Sequence, residues 1–420
     1  MIRMMAIAAA VALLAQAPNN VRDELAALRN EAHTRRAAGD HAGYLQEAVK
    51  ARELLNNNPN AILSVARGYM EAGKSEKALD ALVQFADLGQ VDTGMLDGSN
   101  KDFASLVESP RYKDVLKRFE ENKKTVSGTQ IQFDLPDPGL VAEDIDYDPS
   151  SRAFLVTSVL EKKIIRVTEK GAATDFASSP SGWPMLAIKV DGVRNLVWAT
   201  EAALDGFTVA PKSDWGRSAV VCFDLKSGKL LHRFEGPAGS ALGDMALDQE
   251  GDPLVSDGER GGVYRLKHGQ LRLLNGTDFI SPQTPAVLPD GKHALVPDYL
   301  RGIAVLDLEV GSVRWLLSNG TALSGVDGMY YDRGMLLLIQ NGTSPERVIR
   351  AFLDTSLQHV VRSYVIEQNT PTLGDPTHCL SVGNDYFYIA NSGWSELDDH
   401  GNVKAGSKLT PAHVMRFRSW

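Results

Sequence analysis

Two periodicities divide the chain. Between residues 21 and 88 the composition favours helix: Ala, Leu, Glu and Arg dominate, and Pro59 is the one proline. The segment 102–124 continues this pattern, with Phe103, Leu106, Tyr112, Val115, Leu116 and Phe119 on one apolar face. From about residue 126 helical spacing disappears. Apolar residues alternate or form short runs, and Asp-Gly or Asn-Gly pairs separate them, which predicts strands and tight turns.

The helical part repeats. AAGDHAGYLQEAVKARELL (37–55) aligns with EAGKSEKALDALVQFADL (71–88), and Gly39 and Gly73 stand 34 residues apart, the tetratricopeptide period. Ala66, Tyr69, Gly73 and Ala78 fall where small and aromatic residues let paired helices approach, and Pro59 falls where the first copy's second helix should stop. The segment resembles two tetratricopeptide repeats with a following helix. Such a domain either recruits a protein partner or packs as an appendage on its neighbour. Two repeats form little concave surface, which favours packing.

The strand-rich part repeats as well. Six openings recur: VAEDIDYDPSSRAFLVTS, WPMLAIKVDGVRNLVWAT, ALGDMALDQEGDPLVSDG, SPQTPAVLPDGKHALVPD, GVDGMYYDRGMLLLIQNG and GDPTHCLSVGNDYFYIAN. Six similar units in series predict a six-bladed β-propeller, giving an α + β chain: a helical domain at 18–125 and an all-β propeller at 126–420. In a propeller the first strand of each blade lines the central channel, so equivalent positions converge at its mouth. One column holds Glu143, Leu186, Gly243, Gln283, Asp327 and Thr377; the next holds Asp144, Ala187, Asp244, Thr284, Gly328 and His378. Carboxylates gathered this way repel unless protonated or neutralised by a cation, and oxygen-rich sets suit hard divalent metals. Asp148, Asp191, Asp248, Asp290 and Asp332 follow the first strands and read as turn residues.

Net charge is −9, from 44 basic and 53 acidic residues, and no basic cluster carries interleaved aromatics, so nucleic acid is not the expected partner. MIRMMAIAAAVALLAQAP reads as an export signal at 1–17: Arg3, a short apolar core from Ala6 to Ala15, and an A-x-A site at Ala15–Ala17. The mature protein is then expected in the periplasm or outside the cell. No later segment is apolar enough to span a membrane. Cys222 and Cys379 could pair in such a compartment, but AVVCF reads as core. Asn275, Asn319 and Asn341 each begin Asn-Gly-Thr, read first as turns rather than glycosylation acceptors.

The words VAEDIDYD, ALGDMALDQEGDPLVSD, LPDGKHALVPDYLRGIAVLDL and GVDGMYYDRGMLLLIQNG jointly resemble the senescence marker protein / gluconolactonase / luciferin-regenerating-enzyme family over roughly 135–418. That resemblance implies one divalent cation at the channel mouth, held by a Glu, two Asn and an Asp. Glu143 and Asp327 match; Gly243-Asp244 and Gln283 stand where the two Asn are expected. The implied metal set is Glu143, Asp327, Gln283 and Asp244, with Ca²⁺ first and Mg²⁺, Mn²⁺ or Zn²⁺ after it. The implied chemistry is hydrolysis of a lactone or related ester, with Asp327 as general base and His378 as a second group for proton transfer. Asp144, Thr284 and Thr377 are candidate substrate contacts. So are Trp215 and Trp394, in the long insertions 204–216 and 391–410. The competing expectations are a non-catalytic propeller that binds a sugar-like or peptide ligand, and a propeller enzyme of other chemistry such as a lyase.

Overall fold

Polar side chains cap the first three helix starts. The computed structural model describes residues 20–418, so the export segment expected at 1–17 lies outside the described residues. Asn20 accepts from the Asp23 amide to open α1 (Val21–Ala37), and Asp40 accepts from Gly43 to open α2 (His41–Leu54). Asn58 opens α3 (Pro59–Glu71), so Pro59, expected to close the preceding helix, begins the next one at its first position. α4 (Ser75–Asp87), the single-turn α5 (Thr93–Leu96) and α6 (Pro110–Asn122) follow. Gly39 and Gly73 lie past the ends of α1 and α3 with φ of 74° and 69°, the left-handed conformation that reverses the chain into the next helix. The repeat period is therefore the distance between two helix C-termini. Ile62, Leu79, Leu82, Phe85, Phe103, Val115 and Phe119 fill one core, in which Phe85 and Phe119 meet edge to face at 5.8 Å.

The remaining strands form six sheets arranged as a β-propeller. The first strands of the blades are Ala142–Asp148, Met185–Asp191, Leu242–Leu247, Ala286–Val287, Val326–Asp332 and Cys379–Val382. Their second strands are near-continuous apolar runs, such as Ala153–Ser158 and Met335–Gln340, in which every residue is buried. Blades pack face to face: Leu155 and Ile164 of the first meet Ile188 and Val197 of the second. Cys222 and Cys379 are free and buried in two separate clusters, so they are core thiols rather than a disulfide.

The ring closes by exchange of its ends. Gln130–Asp134 supplies the outermost strand of the sixth blade and pairs antiparallel with His413–Arg418. Just upstream, Val126–Ser127 adds to the outer strand of the fifth blade. Hydroxyls tie neighbouring blades near the channel. Thr157 accepts from the Asp144 amide and donates to Leu186 O of the next blade; Thr200 links Ala187 to Gly243 O in the same way. Ser256 donates to Gln283 O at 2.8 Å.

The helical domain sits against blades three to five, on loops at one end of the ring. The Val21 amide donates to Thr277 O at 3.0 Å, the Asn58 amide group to Leu300 O at 2.9 Å, and the Val91 amide to Ser344 O at 2.7 Å. Gln368 donates to Asn122 O and Lys124 O. These loops precede first strands or follow second and fourth strands, so they lie at the end where the channel-lining strands begin. No described helix is long and apolar enough to cross a membrane.

Phe133 packs against Phe154, which in turn packs against Phe387, where the closing strand meets the sixth blade. Phe133→Ala is expected to cost about 3–5 kcal/mol, read as a lowered urea midpoint at unchanged secondary structure. An unshifted midpoint would show that closure does not depend on this aromatic seam.

Candidate functional site

A register slip places the candidate residues. In four blades the first strand gains one residue against its partner near its start: between Ala142 and Ile145, Met185 and Ile188, Leu242 and Met245, and Val326 and Met329. The pairings Pro282 with Asp298 and Ala286 with Leu295 enclose the same slip in the fourth blade. The two residues inside the slip are the two columns read from the sequence, including Leu186 and Ala187 of the second blade. A bulge frees side chains from strict alternation, so both residues of a pair can serve the channel. Gly328 is demanded by crowding: a Cβ there would lie 2.3 Å from Thr377 O of the next blade.

Asp244, Asp327 and His378 each offer a ligand atom within 4.8 Å of the others. His378 Nε2 bonds Asp244 Oδ1, and its Nδ1 bonds Glu143 O at 2.9 Å. Thr284 donates to the same Asp244 oxygen at 2.8 Å. Asp327 Oδ2 accepts from the Asn341 amide at 2.7 Å, and the Tyr299 hydroxyl donates to Asn341 Oδ1 at 2.9 Å. Trp394 Nε1 donates to Glu143 Oε2. Above this cluster opens a cavity of about 310 Å³, whose wall holds Glu143, Gln283, Asp327 and Trp394 together with Tyr299, Asn341 and Asp375. Among the described residues no lysine or arginine lines this wall.

Burial dominates the electrostatics. Desolvation pushes the Glu143 carboxyl up to about 8, with the charge of Asp327 adding and His378 opposing. It pushes Asp327 up to about 7, with Asp244 adding and both His378 and the Asn341 hydrogen bond opposing. Burial works against the charged form of His378 too, yet the carboxylates of Asp144 and Asp244 hold it well above its ordinary value. With a carbonyl at one nitrogen and a carboxylate at the other, the ring is suited to donate from both, as imidazolium does.

Several expected substrate contacts take other places. Asp144 is fully buried, accepts from Lys189 Nζ at 2.6 Å and from the Ile188 and Ile145 amides, and so is part of an ion pair beneath the cavity. Thr284 and Thr377 commit their hydroxyls to Asp244 and to Glu143 O, which makes them supports rather than wall. Trp215 donates to Phe207 O and Ala210 O of its own insertion and is absent from the cavity wall. His378, expected to move a proton, is only 2% exposed with both nitrogens bonded, and it lies off the cavity wall. Gln283 keeps its place on the wall, its amide nitrogen bonded to Ser281.

Tyr299 and Asn341 were outside the sequence columns. Each directly follows a second strand, His293–Asp298 and Met335–Gln340, at the end where first strands begin. The signal was a third column, the residue past each second strand, obscured at Asn341 by its reading as an Asn-Gly turn. The turn reading stands for four aspartates: Asp148, Asp191, Asp248 and Asp290 accept from amides two to four residues on.

No protein-family model and no curated protein matches the chain. Solved propellers resemble it distantly. A calcium-binding regucalcin of Agrobacterium tumefaciens shares 18% identity over 70% of this chain and 97% of its own, at a TM-score of 0.49. A gluconolactonase of Xanthomonas campestris shares 14% over 69% and 90%, at 0.47. A virginiamycin B lyase of Staphylococcus aureus shares 13% over 68% and 99%, at 0.48. At these levels the likenesses carry no statement about this chain's chemistry.

Glu143, Asp327 and His378 all have folded-state values above their ordinary ones. Each stabilises the fold while protonated, and that stabilisation is lost as pH rises through about 7 for Asp327 and about 8 for Glu143. The chelator-treated protein is therefore expected to melt at lower temperature at pH about 9 than at about 6. A Tm that rises over this interval would contradict the repulsive cluster.

Proposed function

We propose that the protein is an exported hydrolase of lactones or related esters, working at the channel mouth with a divalent cation, Ca²⁺ before Mg²⁺, Mn²⁺ or Zn²⁺. The observation that carries this reading is that Glu143 and Asp327, from two blades, face one cavity with raised carboxyl values, while Asp244 of a third blade lies next to Asp327, with ligand atoms within 4.8 Å. Oxygen donors that repel one another in a buried site suit a hard divalent ion. Glu143, Asp244 and Asp327 would hold it. Gln283 is a fourth donor, because only its amide nitrogen is bonded and its carbonyl oxygen is left over. A Cβ at Gly243 would meet only Ala241 O, at 3.9 Å, so this position offers open space and no ligand. Bound there, the cation would polarise the scissile carbonyl and offset charge on the developing oxyanion.

The chain's own groups divide the remaining work. Asp327, near neutrality and held through Oδ2 by Asn341, takes the proton of the attacking water. Tyr299 orients the Asn341 amide so that its nitrogen faces the carboxylate. Trp394 fixes Glu143 and covers one side of the cavity. His378 keeps Asp244 balanced and moves no proton. A wall without basic side chains favours a neutral ring ester over an anionic one.

A second reading is a metal-free propeller that binds a sugar-like or peptide ligand. Gly243 favours it, since it supplies no side-chain oxygen where the resemblance expects a neutral amide donor.

Elemental analysis separates the two: the hydrolase is expected to carry about one divalent ion per chain and to gain thermal stability from Ca²⁺ after chelation. Asp327→Asn is expected to lower kcat on a lactone panel about 100-fold or more with the fold intact. An ion-free protein whose Tm ignores Ca²⁺, Mg²⁺, Mn²⁺ and Zn²⁺ would sink the metal hydrolase. Undiminished activity in the variant would remove Asp327 as base.

A further inference from the structure

The helical domain touches the propeller at the two loops that carry Tyr299 and Asn341. On the first, the Asn58 side-chain amide donates to Leu300 O and that of Asn56 to Arg301 O, both at 2.9 Å; Arg301 Nε returns a bond to Leu54 O at 2.9 Å. On the second, the Val91 amide donates to Ser344 O at 2.7 Å, and Gln90 Oε1 accepts from the Ser344 amide.

Arg347 pins the same junction from below. It is 3% exposed, and burial alone lowers its guanidinium to about 10. Instead of a carboxylate it meets Leu88 O and Gly89 O, just past the last turn of α4, where the helix dipole is negative. Its second terminal nitrogen, Nη2, donates to Gln340 Oε1 at 3.0 Å, and Gln340 immediately precedes Asn341. Tyr299 and Gly342 are also in close apposition: a Cβ on Gly342 would lie 2.5 Å from the Tyr299 ring. The two loops therefore lock against each other as well as against the helices.

We propose that the helical domain is a positioning element of the channel-mouth site: through Asn56, Asn58, Gln90 and the α4 C-terminus it fixes Tyr299 and Asn341, and through Asn341 the carboxylate of Asp327. A domain serving only as an appendage would need contact somewhere on the ring. Here, besides the contacts at Thr277 and Gln368, one set falls on Leu300 and Arg301 beside Tyr299 and another on Ser344 and, through Arg347, on Gln340 beside Asn341. The hydrolase reading bears only on the kinetic arm of the test.

The double variant Asn56→Ala/Gln90→Ala in the full chain removes one side-chain bond to each loop and leaves every cavity-wall residue in place. Hydrogen exchange followed by mass spectrometry is expected to speed up several-fold across Val326–Asp332, which the helices do not bond, as well as at 299–301 and 341–345. On a responsive lactone kcat is expected to fall about tenfold with KM unchanged, as misplacement of a catalytic group predicts. Gln90→Ala alone, the milder change, should give the same pattern at smaller amplitude. Faster exchange confined to 299–301 and 341–345, with Val326–Asp332 as in the wild type, would overturn the proposal and leave the helices a docking role. If the wild type hydrolyses nothing and binds no cation, the function reading fails, and the exchange of Val326–Asp332 still decides this one.

Discussion

Like charges brought out of water must be opposed, and the centre of this propeller is organised around that requirement. Glu143, Asp144, Asp244 and Asp327 come from three blades into a space from which solvent is largely removed. Two fixed cations answer them, Lys189 against Asp144 and His378 against Asp244. Neutral donors answer the rest: the Trp394 indole on Glu143, the Asn341 amide on Asp327, the Thr284 hydroxyl on Asp244. The arrangement is layered. Beneath the cavity every charge has a partner and serves the fold. At the cavity Glu143 and Asp327 have only neutral donors, and these are the two groups that burial holds near or above neutrality. The remaining demand for positive charge sits where a ligand can reach it.

The columns could be read from the sequence because the bulge recurs. A slip of one residue at the same point in five of the six first strands keeps those blades in step, so aligning apolar runs also aligns the residues inside the slip. Leu186 and Ala187 fall into register although the second blade places nothing polar there. What the columns could not tell was depth. Glu143 and Asp144 are adjacent, yet one lines the cavity and the other is buried against Lys189. That difference depends on the neighbouring blade, which supplies Lys189, and one strand's pattern does not contain it. The same limit applies to Trp215 and Trp394. Both sit in long loops, but only Trp394 reaches across to another blade's carboxylate, while Trp215 folds back on its own loop.

The helical domain was legible as helices that pack on the ring, but not in where they sit. Its period follows from Gly39 and Gly73, whose left-handed conformations end helices by a local rule. Its seat on the ring follows from Thr277 O, Leu300 O, Arg301 O and Ser344 O. Main-chain carbonyls occur at every residue, so such contacts leave no mark in composition. Arg347 left a faint one: an arginine heading the largely apolar strand RVIRAFL, and buried there, is costly unless something outside the strand receives it.

The closing strand sets an order on synthesis. Gln130–Asp134 leaves the ribosome before any blade exists, yet its partner His413–Arg418 comes after every other strand of the ring. Until then the outer edge of the ring lacks its match, and the chain must hold five blades together across an open seam. Few contacts in a domain of this size span more sequence, and pairing over such a distance carries a large loop-closure entropy that slows the final step. The helices lie entirely upstream and close on local contacts, so they are complete while the ring is still being made. The partly built propeller therefore emerges attached to a folded module, whose surface is ready to receive the loops of blades three to five as each appears.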